Sequence, residues 1–438
     1  MTFKKRAIIL PLLLTLLLAG CDGGGSTTDG ESGPVELTFW HTMGQANQTV
    51  VRDMIANFKV DYAEKYPGIK ITDSSQGGYD DLFSKIKSAI PAGTTPTMAF
   101  CYPDHVAHYI DSGAVENLQN YVDAEEAGFA DDFVSGYWNE GREYQNPGLY
   151  SVPFSKSTEA LFYNKTFFDM HSLEVPTTWN EMLELCRDIK AIAPNVTPLG
   201  YDSDSNLYIT LSEQLGIPYT SSNPETPFLF NNNRAKEMVT YLKDLYDEGL
   251  FVTKGASPNN SYTSTQFTEG KAMMTIGSTG GTSYNQSPNF DVGVAIPPSY
   301  VADEPAVISQ GPSITIFSRF SARQKEAAWD LYKYISNTAN SARYSIMTGY
   351  EPVRTSSYAT EEYQMHLNAE GANANLFTNV AKVTYTMRDS YFFSPVFVGS
   401  AVARDQVGGI ISNVLLGTKS VNEAFEDALI ECVNSLPE

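Results

Sequence analysis

Long hydrophobic runs are scarce in this 438-residue chain. The one extended apolar stretch, Ala7 to Leu18, falls short of the roughly 20 residues a bilayer-spanning helix needs, and Pro11 interrupts it. Positive charge is also short, with 29 Lys and Arg against 51 Asp and Glu and a net charge of −22. An acidic surface of this kind repels polyanions, so nucleic acid is excluded as a partner. Cysteine is rare, at four residues, and disulfides cannot be what holds so long a chain together. No Gly-x-Ser-x-Gly elbow, His-Glu-x-x-His helix or phosphate-cradling Lys loop occurs, so no enzyme and no cofactor are expected.

What is present begins at the N-terminus. Lys4-Lys5-Arg6, the apolar run and Leu18-Ala19-Gly20-Cys21 resemble the bacterial lipoprotein signal, in which residues 1–20 are removed and Cys21 is lipidated. Residues 21–34 carry no apolar side chain able to anchor them in a core, and they read as a Gly/Ser-type leash with a reach of about 20 Å. The resemblance implies an extracytoplasmic protein tethered to the cell membrane through that cysteine. Cys101, Cys186 and Cys432 remain, an odd number allowing one bridge at most. Cys101 lies in an apolar strand-like run and Cys432 on an apolar helix face, where a thiol is buried and inert.

The remaining chain exceeds the roughly 250–300 residues at which a single core stops growing, so two lobes are expected. Val35 to His41 alternates like a strand, and Val50, Val51, Met54, Ile55 and Phe58 follow at helical spacing. Ile69-Lys70-Ile71 and Met98 to Tyr102 read as further strands, with helices at Asp80 to Ile90 and around Val106 to Ile110. Such alternation predicts α/β architecture with mainly parallel sheets. Downstream, Asn233 can cap an amphipathic helix that Gly249 ends, and Ser321-Ala322-Arg323-Gln324 and Ser420-Val421-Asn422-Glu423 read as capping boxes.

Two patterns imitate metal sites. Asp202-Ser203-Asp204-Ser205-Asn206 with Glu213 has calcium-loop spacing, but Leu207 stands where the sharp turn needs glycine, and helix capping explains it better. His105 and His108 lack a third ligand nearby and read as a solvated helix face; no metal is expected.

In order along the chain come Leu37-Thr38-Phe39-Trp40-His41, Tyr66-Pro67-Gly68-Ile69, Val152-Pro153-Phe154 with Ala160 to Lys165, Pro176 to Glu181, Phe267 to Met274 and Thr348 to Val353. This ordered set resembles the extracytoplasmic solute-binding proteins that feed ABC importers of sugars and polyols. The resemblance implies a two-lobe periplasmic-binding-protein fold of the Venus-flytrap type (type II), with a hinge the chain crosses several times. The crossings are expected near Ser155–Ala160, Phe290–Val294 and Tyr334–Thr338. One lobe is then 35–156 with 292–334, and the other 157–291 with 335–438.

Within that family the layout is most similar to the glycerol-3-phosphate-binding branch, through Phe39 to Met43, Gly78-Tyr79-Asp80, Pro153 to Thr158, Gly277 to Gly280, Thr348-Gly349-Tyr350 and Arg404. Position by position, the resemblance implies ligand contacts from Tyr79, Ser157, Ser278, Gly311, Tyr350 and Arg404. Thr279, in the glycine-containing turn, is a further candidate, because hydroxyls, backbone amides and a guanidinium fork suit phosphate oxygens. The branch's acidic residue after the third strand is replaced by Pro103, and Asp104, one position on, is the candidate ligand contact in its place. Where the branch is rich in Trp, this chain has Tyr201, Asn206 and Tyr208. The ligand is therefore left open between glycerol-3-phosphate, a glycerophosphodiester and a sugar. Expected partners are that small molecule, the ABC permease subunits and the membrane through the lipid anchor, with the protein itself monomeric. A surface glycosidase with paired carboxylates and a non-transport adhesin are the alternatives from other classes.

Overall fold

The computed structural model describes residues 33–302 and 304–436; the expected signal peptide, the Cys21 lipidation site and most of the expected linker lie outside them. Alternation shapes strand β1 (Glu36–His41), in which Leu37, Phe39 and His41 are buried. β1 pairs in parallel with β2 (Lys70–Ser75) and β3 (Met98–Cys101), and the helices Gln45–Asp61 and Tyr79–Ala92 carry the chain between them. The first of these helices buries Val50, Val51, Met54, Ile55 and Phe58, the stripe read from the sequence. Strand β4 (Val152–Pro153) is joined to this sheet through β11 (Ser313–Ile316), which returns from far downstream and runs antiparallel to both β3 and β4.

A second sheet comprises β5 (Glu159–Asn164), β6 (Thr197–Tyr201), β7 (Phe251–Thr253), β8 (Ala272–Ser278) and β9 (Val292–Ala295), in the order β7-β6-β8-β5-β9. β6 is parallel to β7 and β8, and β5 is antiparallel to β8 and β9. Each sheet thus holds a parallel trio, as expected, plus antiparallel strands where the chain passes between halves. Each half has its own core. Phe39, Met98, Phe100, Ile314 and Trp329 belong to one; Leu199, Met274, Ile276, Ile411 and Phe425 belong to the other.

The structure shifts two expected boundaries. Val292–Ala295, assigned to the first lobe from the sequence, hydrogen-bonds to β5 in the second sheet, and Val292 and Val294 pack beside Ala160, Phe162 and Phe267. The crossing expected near Phe290 therefore comes later, between β10 (Val307–Ile308) and β11. The helix Thr338–Thr348, assigned to the second lobe, sends Tyr344 into the first core, where Val353 joins it. Buried apolar side chains, which bind each segment to one half, decide both cases.

The crossing segments are stitched side by side. Ser157 and Gln310 exchange both backbone hydrogen bonds, at 3.0 and 2.7 Å, and Glu351 N–H donates to Lys156 O at 2.7 Å. β10 pairs in parallel with β12 (Tyr391–Phe392). Gly311 is required here: its φ is +92°, and a Cβ would lie 1.9 Å from Ser155 O. Cys101, Cys186 and Cys432 are all free and buried. The cap of the helix Asn233–Asp247 is Asn232 rather than Asn233, since extended backbone at Asn232 lets its side chain accept from Ala235 N–H at 3.0 Å.

Candidate functional site

Where the two halves meet there is a cavity of about 60 Å³, room for a few waters. The first half contributes Tyr102, Pro103 and Asp104 from the end of β3 and the start of the helix Pro103–Asp111, with Glu140 from the helix Ser135–Glu140. The crossing strand contributes Ile308 to Gly311. The second half adds Ile209, Tyr219 and Thr220, with Ser400 and Arg404 from the helix Ser400–Leu415.

The wall is polar and incompletely matched. Thr220 Oγ1, Ser309 Oγ and Gln310 Nε2 are buried and have no hydrogen-bond partner in the protein. A buried polar atom left unpaired costs about 1–3 kcal/mol, a cost that these three side chains of the lining could recover by turning toward a hydrogen-bonding occupant. Aromatic walls, Tyr102, Tyr219 and Phe393, offer flat apolar faces beside those groups.

Three of the candidates read from the sequence, Asp104, Gly311 and Arg404, line this cavity directly. Tyr79 stands one layer out, its ring centroid 4.4 Å from that of Tyr102. Its hydroxyl meets those of Thr42, Tyr102 and Tyr350, and burial pushes its ionisation upward. Tyr350 lies against the glycine turn after β8, where a Cβ on Gly280 would come within 2.5 Å of its ring. Ser157 pairs through its backbone with Gln310, and its hydroxyl is 3.2 Å from that of Ser278. Tyr79, Tyr350, Ser157 and Ser278 thus form a second hydroxyl-rich group bordering the cavity. Thr279 does not join it: fully buried, its hydroxyl accepts from Thr158 N–H at 3.2 Å and serves the strand pairing.

Arg404 donates to Asn206 Oδ1 rather than pairing with the adjacent Asp405. The Asn206 amide in turn donates to Glu159 Oε1 at 2.8 Å, and Tyr201 hydroxyl donates to the other Glu159 oxygen. Burial raises the Glu159 carboxyl to about 7, against the opposing pull of those donors and of Arg404. Tyr208 is fully buried in the second core and is no cleft aromatic.

A buried ion pair sits at the opposite wall. Lys156, inaccessible to solvent, donates to Glu140 and, at 3.1 Å, to Gly311 O, tying two crossing segments together. Burial pushes the Glu140 carboxyl up while Lys156 pulls it down.

The two metal-like patterns are put to other uses. Asp202 accepts from Thr263 Oγ1 at 2.8 Å and Ser264 N–H at 3.0 Å, and Asp204 from Gly255 N–H at 2.8 Å. His105 stacks on Phe83 at 4.4 Å and His108 lies 5.5 Å from the same ring, so both pack on an aromatic and the solvated-face reading is corrected.

Sequence reading missed Glu140, Tyr219, Thr220, Ser309 and Gln310 as cavity residues. Ser309 and Gln310 precede the glycine of Gly311, the one local signal near them. Nothing in the sequence links Glu140 to Lys156.

Two α/β halves, strands passing between them and a polar cleft at their junction define a two-lobe solute-binding protein. The chain belongs to the family described as bacterial extracellular solute-binding protein, which it matches over residues 54–371. The sn-glycerol-3-phosphate-binding periplasmic protein UgpB of Pectobacterium atrosepticum is 24% identical over 369 residues, 79% of each chain. The crystal structure of UgpB from Mycobacterium tuberculosis with glycerophosphocholine superposes with a TM-score of 0.76 at 19% identity, covering 92% of this chain and 98% of that one. The GacH receptor of Streptomyces glaucescens, solved without ligand and with acarbose, gives the same TM-score and identity over 92% and 100%. Among the described residues no helix is long and apolar enough to cross a membrane.

Proposed function

We propose that this chain is the ligand-capturing component of an ABC importer for a small, hydroxyl-bearing molecule with an anionic phosphodiester or phosphate group. The observation that carries this reading is the interlobe cavity lined by Arg404 together with Thr220, Ser309 and Gln310, each of which has a buried polar atom without a partner in the protein. A guanidinium offers a planar fork to phosphate oxygens, and the hydroxyls of the adjoining Ser157, Ser278, Tyr79 and Tyr350 extend the same chemistry. The sequence relatives named as glycerol-3-phosphate-binding, and the UgpB crystallised with glycerophosphocholine, support the phosphate, while the GacH receptor solved with acarbose is as similar in fold.

A cavity of about 60 Å³ is too small for such a ligand, so the halves part for entry and close around it. The ligand drives closure by contacting both walls at once, which is the differential interaction a two-state change requires. The protein works outside the cytoplasm, monomeric and held at the membrane through lipidated Cys21. It hands its unaltered ligand to the permease.

The test is thermal unfolding with glycerol-3-phosphate, glycerophosphocholine and maltose. Ligand at a hundred times its dissociation constant should stabilise the protein by about 2.7 kcal/mol. Mass spectrometry after incubation should recover the ligand intact. Silence toward both phosphates, with tight binding of maltose, overturns the phosphate assignment; release of cleaved product overturns the receptor itself. For the tether, Cys21→Ser should move the protein from the membrane fraction to the medium or periplasm.

A further inference from the structure

Glu159 opens β5 beneath the cleft and is 1% exposed. Its two oxygens take hydrogen bonds from Tyr201, at the end of β6, and from Asn206, in the first turn of the helix Asp204–Leu215. No Lys or Arg contacts it among the described residues. The cation that compensates its charge is Arg404, one side chain away, through the same Asn206 amide group. Asn206 is itself 2% exposed and is satisfied on both sides by this relay, so the guanidinium is held by an amide that the buried carboxylate orients. The other acid close by, Asp202, is engaged by Thr263 and Ser264.

We propose that Glu159 is a positioning residue for Arg404, and that capture of an anion by Arg404 is coupled through Asn206 to uptake of a proton by Glu159. This deepens the ligand-capture reading and rests on it for the identity of the anion alone. Charge balance links the two groups. A carboxylate in a dry interior stays ionised only while a positive charge or enough donors compensate it. In the free protein Arg404 serves that need. An anionic ligand on the outer face of Arg404 spends the same positive charge, and Glu159 then binds a proton from the solvent. Tyr201 and Asn206 keep their places, because one carboxyl oxygen still accepts while the protonated one turns its donor toward the tyrosine oxygen. Burial already brings Glu159 to about 7, so the uptake falls near neutral pH.

The sign follows from linkage. Ligand binding raises the affinity of Glu159 for a proton, so the ligand binds best when that proton is available. Affinity should be flat below about pH 7, where Glu159 is protonated with or without ligand. Above it, affinity should fall by up to tenfold per pH unit until Glu159 is ionised in both states.

The experiment has two arms. Without ligand, the carboxyl carbons of the full chain are titrated by NMR with labelled glutamate, the Glu159 signal being the one lost in Glu159→Gln. Arg404→Met should move its midpoint up by at least one pH unit, and an unmoved midpoint overturns the coupling. With ligand, glycerophosphocholine is the probe, because a phosphodiester does not itself titrate between pH 6 and 9. Calorimetry at pH 8 in Tris and in HEPES should show proton uptake for the native chain and none for Glu159→Gln, whose affinity should lose its pH dependence. Identical pH profiles for the two proteins overturn the proposal, whereas a purely structural role would weaken binding equally at every pH. Asn206→Ser cuts the relay without removing either charge and should also flatten the profile; should Glu159→Gln not fold, it decides this arm and assigns the signal by its displacement. If glycerophosphocholine fails to bind, the phosphate reading falls, while the ligand-free arm still decides the coupling.

Discussion

At the scale of single residues, the cleft depends on charges placed where water does not reach. Lys156 and Glu140 form a pair that is wholly buried on the lysine side, and Lys156 also holds the carbonyl of Gly311. Removing one partner leaves the other charge stranded, at a cost of about 3–5 kcal/mol, whereas replacing both by apolar groups of similar volume is often neutral. Lys156→Met should therefore lower stability by about that amount in urea denaturation. The double variant Lys156→Met/Glu140→Leu should recover most of it. A double variant as unstable as the single one would assign the loss to the Gly311 contact instead.

Glu351 supplies a pH-dependent counterpart. It is buried beside the crossing segments, its carboxylate accepts from Tyr391 hydroxyl at 2.9 Å, and burial raises it to about 8 against that donor's pull. Its folded-state value lies above the roughly 4.3 of an unfolded glutamate, so the native state binds the extra proton between those limits. The stabilising effect is complete below about pH 4 and is lost as pH rises toward 8. Relative to the native chain, Glu351→Gln should therefore gain stability between pH 5 and 8 and show no further gain above it. Denaturation midpoints across that range would check this, and a constant difference between the two proteins would refute it.

At the scale of elements, periodicity was the dependable guide and local chemistry the ambiguous one. The stripe Val50, Val51, Met54, Ile55 and Phe58 could be read because one buried face must recur at helical spacing. The box at Ser321 and Gln324 forms as read, with both reciprocal hydrogen bonds. The cap of the helix Asn233–Asp247 could not be fixed, because Asn231, Asn232 and Asn233 are consecutive and chemically equal. The fold chooses Asn232, whose side chain also donates to Pro218 O and Leu229 O from the preceding loop. Asn232→Ala should cost about 1 kcal/mol and Asn233→Ala only a few tenths, measured by thermal unfolding. Equal effects would place the cap wrongly. The two histidines failed for the opposite reason: an i, i+3 spacing shows that they share a face but not that Phe83, on another helix, covers it.

At the scale of the whole molecule, the sequence order of motifs carried the two-lobe fold, but the boundaries between lobes could not be read from it. Strand β9 and the helix Thr338–Thr348 carry no local feature that ties them to one half, and only long-range strand pairing for the one and packing of Tyr344 for the other assign them. The cavity obeys the same limit. Gly311 and Arg404 were recoverable by likeness, and Asp104 as the acid one position past the place where the likeness breaks, while Glu140, Thr220 and Gln310 meet only because separate segments converge. Convergence also makes the site mechanically simple. The lobes have separate cores, and at the crossings Ser157, Gln310, Lys156 and Glu351 are joined by short backbone hydrogen bonds that a hinge rotation can preserve. Motion should then be a rigid swing about these strands rather than a loosening of either half. Small-angle scattering should show the ligand-free protein contracting when glycerophosphocholine or glycerol-3-phosphate is added. Hydrogen exchange should slow around Thr220 and Ser309 in the cleft while the amides of Ser157, Gln310 and Glu351 stay protected in both states. Contraction accompanied by fast exchange at those three amides would mean that closure breaks and reforms the crossing strands, and the swing would have to be abandoned for local unfolding.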